Sequence, residues 1–265
     1  MRKLETTLVS LFFAALGLGG VAYGARTWLP PLASRHGAGI DAMLAYLLST
    51  VGLLFLAGHL VLGFLIWRAA SQRQVTHRLA SPKSEWVLSG ALGLLVVAIG
   101  EVGVLAIGIP VWNEYFAARP PSDAVFVEVT GQQFMWNVRY PGADGAFGRT
   151  DPRLVDDATN PLGIDATDPA ARDDITLLNE IRVPVDRPVK VRLRSKDVIH
   201  SFFLPNLRVK QDAVPGMTPE IVFVPTREGT FEIACTELCG LGHYRMQGML
   251  YVLSEDGFRQ WLREQ

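Results

Sequence analysis

A short segment near the C-terminus carries four side chains that bind soft metal ions. It reads Cys235-Thr-Glu-Leu-Cys239-Gly-Leu-Gly-His243-Tyr-Arg-Met246 and places two thiolates, an imidazole and a thioether in one stretch. Sulfur ligands favour copper or an iron–sulfur cluster over hard cations, and the imidazole shifts the preference towards copper. The chain has only these two cysteines, so it cannot build a four-cysteine zinc site or cluster from its own residues. Copper is the simplest interpretation, and a disulfide is the alternative.

A further ligand is expected from a distant part of the chain, and the candidate is His200. The alternation around it predicts a strand over residues 198–204, with Val198, His200 and Phe202 on one face. His200 can then point from the end of the strand towards the cysteine segment. Taken alone, His200 would be an ordinary strand histidine and Met246 a core side chain. Their joint spacing with the cysteines is what indicates a metal site.

The order and spacing of these residues resemble the binuclear copper (CuA) signature of cytochrome c oxidase subunit II: Val198-x-His200, then Cys235-x3-Cys239-x3-His243-x2-Met246. The resemblance implies that both thiolates bridge two copper ions. It also implies a further pair of ligands for each ion: His243 with the backbone carbonyl of Glu237, and His200 with Met246. It assigns the Glu237 carboxylate to a non-redox magnesium or manganese ion at the boundary with the catalytic subunit, and a carboxylate oxygen suits such a hard ion.

The resemblance also implies a function and partners. The chain would accept electrons from a c-type cytochrome and pass them to haem in a catalytic subunit I, which holds haem and copper and reduces oxygen to water. The donor would be soluble, membrane-bound or part of a supercomplex, and other oxidase subunits would accompany the chain. We expect no nucleic-acid partner. The chain lacks Cys-x-x-Cys-His, so we expect no fused c-type haem.

The apolar residues are concentrated in three runs in the first half of the 265-residue chain, at residues 4–23, 42–67 and 86–112. Each run is long enough to span a membrane, since about 20 helical residues cross the hydrocarbon core. Basic residues crowd the connection between the second and third runs: Arg68, Arg73, Arg78 and Lys83. This connection should therefore be cytoplasmic. The C-terminal domain would then lie on the periplasmic side of a bacterial inner membrane.

The first run has two interpretations. Arg2 and Lys3, an apolar core and the sequence Ala22-Tyr-Gly24 would suit a cleaved signal peptide. Alternatively the run is a third membrane helix, the interpretation that we favour, although two membrane helices are the common family pattern. We expect an N-terminal helix or signal peptide over residues 1–25, a membrane hairpin over 26–119 and a copper domain over 120–265.

The copper domain should be all β. Seven short alternating segments predict strands at residues 125–130, 134–140, 189–194, 198–204, 221–224, 230–235 and 248–253. Several such strands in one small domain favour a β-sandwich or small barrel, and the family resemblance implies a cupredoxin fold. Residues 255–264 resemble a short amphipathic helix. The predicted class is a membrane-anchored α part of two or three transmembrane helices, followed by this β domain.

The segment from Gly131 to Tyr140 resembles the family's aromatic segment, which in familiar members begins with a tryptophan proposed to receive electrons. Here Phe134 stands in that place, and Trp136 follows. Either aromatic ring could receive electrons. The alternative is that both are packing residues beneath the copper loop. In a second departure, Met217 replaces the arginine that familiar members carry after Pro215-Gly216.

Acidic residues predominate between Asp144 and Glu180. Such an excess could steer a basic donor protein, because complementary fields raise association rates. The alternative is an irregular, solvated loop insertion.

Three ionisable residues of the membrane part have candidate roles. His59 and Glu101 lie inside the apolar runs, where charge is costly and usually faces a partner, a cavity or a proton route. Glu85 lies at the cytoplasmic start of the third run. It corresponds best to the family glutamate that opens a proton pathway, or else it is an interfacial carboxylate beside Trp86.

Other protein classes share parts of this pattern. A quinol oxidase subunit II would keep the anchor and the sandwich as a structural module, but that class lacks the copper ligands. A copper-delivery protein could use Cys, His and Met without needing the distant His200 or this topology. Nitrous oxide reductase shares the copper motif, but its large catalytic domain is absent from this sequence.

Overall fold

The computed structural model describes residues 2–27, 29–71, 82–117 and 123–265. These residues form two compact units. The first comprises Met1–Leu29 and Gly39–Pro110, and the second comprises Pro30–Ala38 and Val111–Gln265. The boundaries expected near residues 25 and 119 stay predictions.

The first unit is helical. The helices are α1 (Arg2–Thr27), α2 (Gly37–Ser71), α3 (Pro82–Val96) and α4 (Val102–Trp112), with a π-helical turn at Val97–Glu101. A second π-helical turn, Asn113–Ala117, belongs to the second unit. Three stretches are long and apolar enough to cross a membrane: Leu4–Gly24, Gly37–Ala69 and Lys83–Phe116. They coincide with the three predicted apolar runs. Among the basic residues used to orient them, Arg68 lies in the last turn of α2 and Lys83 lies in the first turn of α3. Arg73 and Arg78 lie outside the described residues.

Helices α2 and α4 approach each other closely at glycines. A Cβ at Gly103 would overlap the ring of Tyr46, and one at Gly108 would lie 3.4 Å from Met43 Sδ. The hydroxyl of Tyr46 donates to the carbonyl of Ile99 in the π-turn. Small residues allow this close contact between the two helices.

The second unit is a β-sandwich of two five-stranded sheets. Its strands are β1 (Val125–Gln132), β2 (Met135–Tyr140), β3 (Ile175–Leu178), β4 (Glu180–Pro184), β5 (Val189–Ser195), β6 (His200–Leu204), β7 (Val209–Ala213), β8 (Glu220–Phe223), β9 (Gly229–Cys235) and β10 (Gln247–Leu253). The strand orders are β3-β2-β1-β5-β8 and β4-β10-β9-β6-β7. Alternate side chains of both sheets meet in one core, as Val127, Val191 and Ile233 show by having no exposed surface. The predicted sandwich is confirmed.

All seven predicted strands are present, and β3, β4 and β7 were not predicted. Strand β6 begins two residues later than expected. Residues 198–204 were predicted as a strand, but β6 starts at His200 and Val198 is exposed. The carboxylate of Asp197 accepts the backbone N–H of Val198, and this turn ends the extended run. Val198 therefore does not share the buried face of His200 and Phe202.

The predicted C-terminal helix is α5 (Glu255–Arg263). Ser254 caps its first turn by accepting the N–H of Gly257 at 3.1 Å. Phe258 and Trp261 bury its apolar face, and Trp261 packs edge-on against Tyr140 at 5.3 Å.

The acidic segment is irregular up to β3, as predicted, and its carboxylates serve local structure. Asp151 and Asp168 accept backbone N–H groups that start short 3₁₀ turns. Hydrogen bonds from Arg153 hold the pKa of Asp151 below its usual range. Beneath the segment, the buried Asp174 pairs with Arg139. These carboxylates thus stabilise the turns of the segment itself, and steering of a donor protein by the acidic excess stays a prediction.

Candidate metal centre

Strand register brings the two distant parts of the predicted site together. Strands β6 and β9 pair antiparallel, with Phe202 opposite Cys235. His200 begins β6 and Cys235 ends β9, so both side chains lie at the same end of the sheet. The Nδ1 atom of His200 is 4.0 Å from the Sγ atom of Cys235.

The loop between β9 and β10 supplies the remaining predicted ligands. The backbone N–H of Cys235 donates to the carbonyl of Met246 at 3.3 Å and closes the loop at its base. The thiol sulfurs of Cys235 and Cys239 are 3.9 Å apart, and both cysteines are free. Cys239 Sγ lies 3.6 Å from His243 Nδ1 and 3.8 Å from Met246 Sδ. The carbonyl oxygen of Glu237 lies 3.3 Å from Cys235 Sγ.

The cluster is shielded from solvent. His200 has no exposed surface, Met246 is 1% exposed and Cys239 is 3% exposed. The ligand atoms of His200, Cys235 and Cys239 all lie within 4.8 Å of one another, as the ligands of a metal ion must. A buried set of thiolate, imidazole and thioether donors suits copper.

The two thiols differ in acidity. Burial opposes ionisation of Cys235, but hydrogen bonds from His200 and the backbone of Ser201 outweigh it and lower the pKa of Cys235 to about 6. Burial and the neighbouring Cys235 charge raise the pKa of Cys239 to about 11. The site therefore holds one thiolate readily, whereas the second needs a compensating cation. Bound metal would supply that charge, so the residues fit the expected group.

Sequence reasoning missed a carboxylate that orients His200. Asp197 Oδ1 lies 2.7 Å from His200 Nε2, and Asp197 Oδ2 accepts the backbone N–H of Gln133 at 2.7 Å. Burial opposes ionisation of Asp197, but these hydrogen bonds outweigh it and lower the pKa of its carboxyl. The ionised carboxylate accepts from Nε2–H and so fixes the ring with Nδ1 facing Cys235. The signal in the sequence was an aspartate three residues before a candidate ligand.

Gln133 links the aromatic segment to the copper loop. Besides its contact with Asp197, its side-chain amide donates to the carbonyl of Cys239 at 2.5 Å. Gln133 thus contacts Asp197, which orients His200, and the backbone of Cys239. It too was missed, because nothing in the sequence indicates a hydrogen bond between such distant residues.

The two aromatic candidates occupy different depths. Phe134 is half-buried, and its ring lies against the backbone of the copper loop: a Cβ at Gly242 would be only 2.4 Å from the ring. Trp136 has no exposed surface and lies edge-on to His200, with ring centroids 5.9 Å apart. Phe134 is therefore the more accessible of the two, while Trp136 supports the site from below.

Two predicted residues, and Met217 with them, lie outside the ligand cluster or point away from it. The side chain of Glu237 is exposed, although its carbonyl belongs to the cluster. Glu85 is exposed in the first turn of α3, in the helical unit. Met217 is 58% exposed, as expected for a methionine that is not a ligand.

Comparison with known proteins places this geometry in context. Residues 125–252 match the family described as cytochrome C oxidase subunit II, periplasmic domain. The alternative cytochrome c oxidase subunit 2 of Bradyrhizobium diazoefficiens is 35% identical over 262 residues, which cover 97% of this chain and 91% of that relative. The cytochrome c oxidase subunit 2 of Cereibacter sphaeroides is 30% identical over 256 residues, which cover 90% of this chain and 80% of that relative. Among solved structures, the periplasmic domain of cytochrome oxidase subunit II from Bradyrhizobium japonicum is 31% identical, covers 55% of this chain and 96% of its own, and superposes with a TM-score of 0.40.

Proposed function

The chain belongs to the cytochrome c oxidase subunit II family, and from this premise we propose that it accepts electrons from a c-type cytochrome for a haem–copper terminal oxidase. The observation that supports this most strongly is the buried cluster of His200, Cys235, Cys239 and Met246 beside His243. Oxygen reduction takes place in the catalytic subunit, which holds the haem.

We propose that these residues hold a binuclear copper centre. The thiolates of Cys235 and Cys239, the imidazoles of His200 and His243, the Glu237 carbonyl and the Met246 thioether would hold the two ions. Such a centre, when bound, supplies one-electron transfer with the charge spread over two metals.

The protein keeps the ligands in place. His200 and Cys235 are anchored at the ends of paired strands, and Asp197 and Gln133 fix the orientation of His200 and the backbone of Cys239. Because His200 and Cys235 are buried and lie at strand ends, they should move little when the charge changes. The Phe134 ring covers the loop at Gly242 and is the proposed place where electrons arrive.

Further assignments extend the proposal to the partner subunit. The exposed Glu237 carboxylate is available for a magnesium or manganese ion shared with subunit I, since hard ions take oxygen ligands. Glu85, exposed at the start of α3, is the candidate for proton uptake. The copper domain lies on the periplasmic side of a bacterial inner membrane, where it meets its cytochrome donor and the other oxidase subunits.

Burial of the ligands argues against copper delivery. A delivery protein must release its ion to a partner, whereas Met246 and His200 are almost completely shielded here. A quinol-oxidase-type module would have no use for the ligand set.

Oxidation of reduced c-type cytochrome by the intact complex tests the proposal. Cys235→Ser should abolish most oxidation of reduced c-type cytochrome while leaving the haem spectra of the catalytic subunit in place. Met217→Leu changes an exposed methionine outside the cluster and is the matched control. Undiminished cytochrome oxidation by the Cys235→Ser complex would reject the proposal.

A further inference from the structure

The third membrane-spanning stretch carries one carboxylate near its middle. Glu101 ends the π-helical turn Val97–Glu101, inside the span Lys83–Phe116. It follows residue 99, the midpoint of the apolar run 86–112, by only two positions, which is about 3 Å along a helix. A carboxylate at this depth is costly unless another group satisfies it.

The exposure pattern of α4 shows which face carries this carboxylate. Residues 103–104 and 107–108 are half-buried, and the glycines among them contact α2. Glu101 is exposed, and three exposed apolar side chains share its side of the helix by their spacing: Val102 at 59%, Leu105 at 54% and Ile109 at 52% exposure. The face is therefore an apolar stripe with one acidic group at mid-membrane depth.

Glu101 differs from the other ionisable residue of the apolar runs. His59 Nδ1 lies 2.8 Å from the carbonyl of Phe55, and its ring stacks on Phe55 with centroids 4.0 Å apart. For the Glu101 carboxylate, no hydrogen bond or ion pair is found among the described residues. His59 Nδ1 thus has a partner within its own helix, whereas the Glu101 carboxylate requires a group from elsewhere.

We propose that this face, defined as Glu101, Val102, Leu105 and Ile109, docks against a membrane helix of the catalytic subunit that presents a cation or hydrogen-bond donor to Glu101. Lipid tails offer no donor at this depth. A second copy of the chain in a twofold contact would bring two Glu101 carboxylates together, which like charge opposes. A polar group on a neighbouring helix satisfies the carboxylate and leaves the apolar side chains to pack. The proposal rests on the proposed function, because it takes the catalytic subunit as the partner.

Substitution of Glu101 in the tagged, intact complex gives opposite results for the alternatives. If Glu101 pairs with the catalytic subunit, Glu101→Leu should weaken subunit association by about threefold to twentyfold, the range expected for one interhelical hydrogen bond. Glu101→Gln can still form a hydrogen bond and should retain most of the association. If the face meets lipid, Glu101→Leu should leave co-purification of the catalytic subunit unchanged or stronger, and that result overturns the proposal.

His59→Leu is the matched control, since it also replaces an ionisable membrane residue by leucine. It should leave association unchanged, because His59 is satisfied within its own helix.

Cross-linking tests the unaltered carboxylate, in case the leucine variant fails to insert. A photoreactive residue in place of Leu105, with Glu101 intact, should form an adduct with the catalytic subunit. An adduct only with lipid or with a second copy of the chain overturns the proposal.

Failure of the docking proposal is distinguishable from failure of the proposed function. Loss of docking through Glu101→Leu should leave the copper spectrum of the chain intact, since Glu101 lies outside the ligand cluster. An unmodified chain that binds no copper pair would instead refute the proposed function.

Discussion

Removal of the Asp197 carboxylate should loosen copper without unfolding the domain. The Asp197 carboxylate accepts one hydrogen bond from Nε2–H of His200 and another from the backbone N–H of Gln133, both at 2.7 Å. In Asp197→Ala, the Nε2–H of His200 loses its acceptor. Because the His200 ring has no exposed surface, solvent cannot reach the vacated position without rearrangement.

The size of the effect follows from the type of bond. A hydrogen bond to a charged group contributes about 1.5–3 kcal/mol, which corresponds to roughly 10-fold to 150-fold in affinity. The Asp197 side chain is itself 26% exposed, so water replaces part of its role. We therefore expect the lower part of the range, a loss of about 10-fold to 30-fold in copper affinity, within the span typical of residues that orient metal ligands.

Competition with a copper chelator on the purified full chain measures this loss. Asp197→Asn should lose less, since its amide oxygen can still accept from His200 although its amide nitrogen cannot accept from Gln133. Asp168→Ala is the control: it also removes a carboxylate that accepts backbone N–H groups, but in the acidic segment. Equal copper affinity in Asp197→Ala and Asp168→Ala would refute the reasoning.

Three further predictions concern electron transfer and stability. Phe134→Ala should slow cytochrome oxidation while leaving the copper spectrum unchanged, and an unchanged rate would rule out a role of this ring in receiving electrons. Burial lowers the pKa of His36 from 6.5 to about 4, so the unfolded chain takes up the proton first as pH falls below 6.5. The free energy of unfolding should therefore drop by up to about 3 kcal/mol between pH 6.5 and pH 4. Measured by urea unfolding, the free energy of unfolding of His36→Gln should fall less over this pH interval than that of the unaltered chain. Equal falls in the two proteins would contradict the assignment to His36. Arg139→Met should destabilise the domain by about 3–5 kcal/mol in the same assay, because it leaves the buried Asp174 unpaired; a change under about 1 kcal/mol would contradict this.

The sequence predicted the interior of the sandwich better than its edges. The central strands show regular alternation, as Val189, Val191 and Leu193 do in β5, because one face is buried against the core. The three strands missed, β3, β4 and β7, are all at sheet edges. Edge strands are partly exposed and tolerate polar residues, so Val209–Ala213 does not read as a strand in isolation.

The ligands of the site were predictable, and the groups that orient them were not. Spacing identifies His200 and the cysteine loop because the loop is local and each ligand type is distinctive. The roles of Asp197 and Gln133 depend on how the β1–β2 turn meets the start of β6, which is a tertiary contact between distant segments. The membrane spans were predictable from length and apolarity alone.

The central claim is that Cys235 and Cys239 hold two coppers that share one electron. Electron paramagnetic resonance of the copper-loaded full chain tests it most directly. We predict a hyperfine pattern from one unpaired electron coupled equally to two copper nuclei, and its loss in Cys239→Ser. A pattern from a single copper nucleus in the unaltered chain would contradict the account.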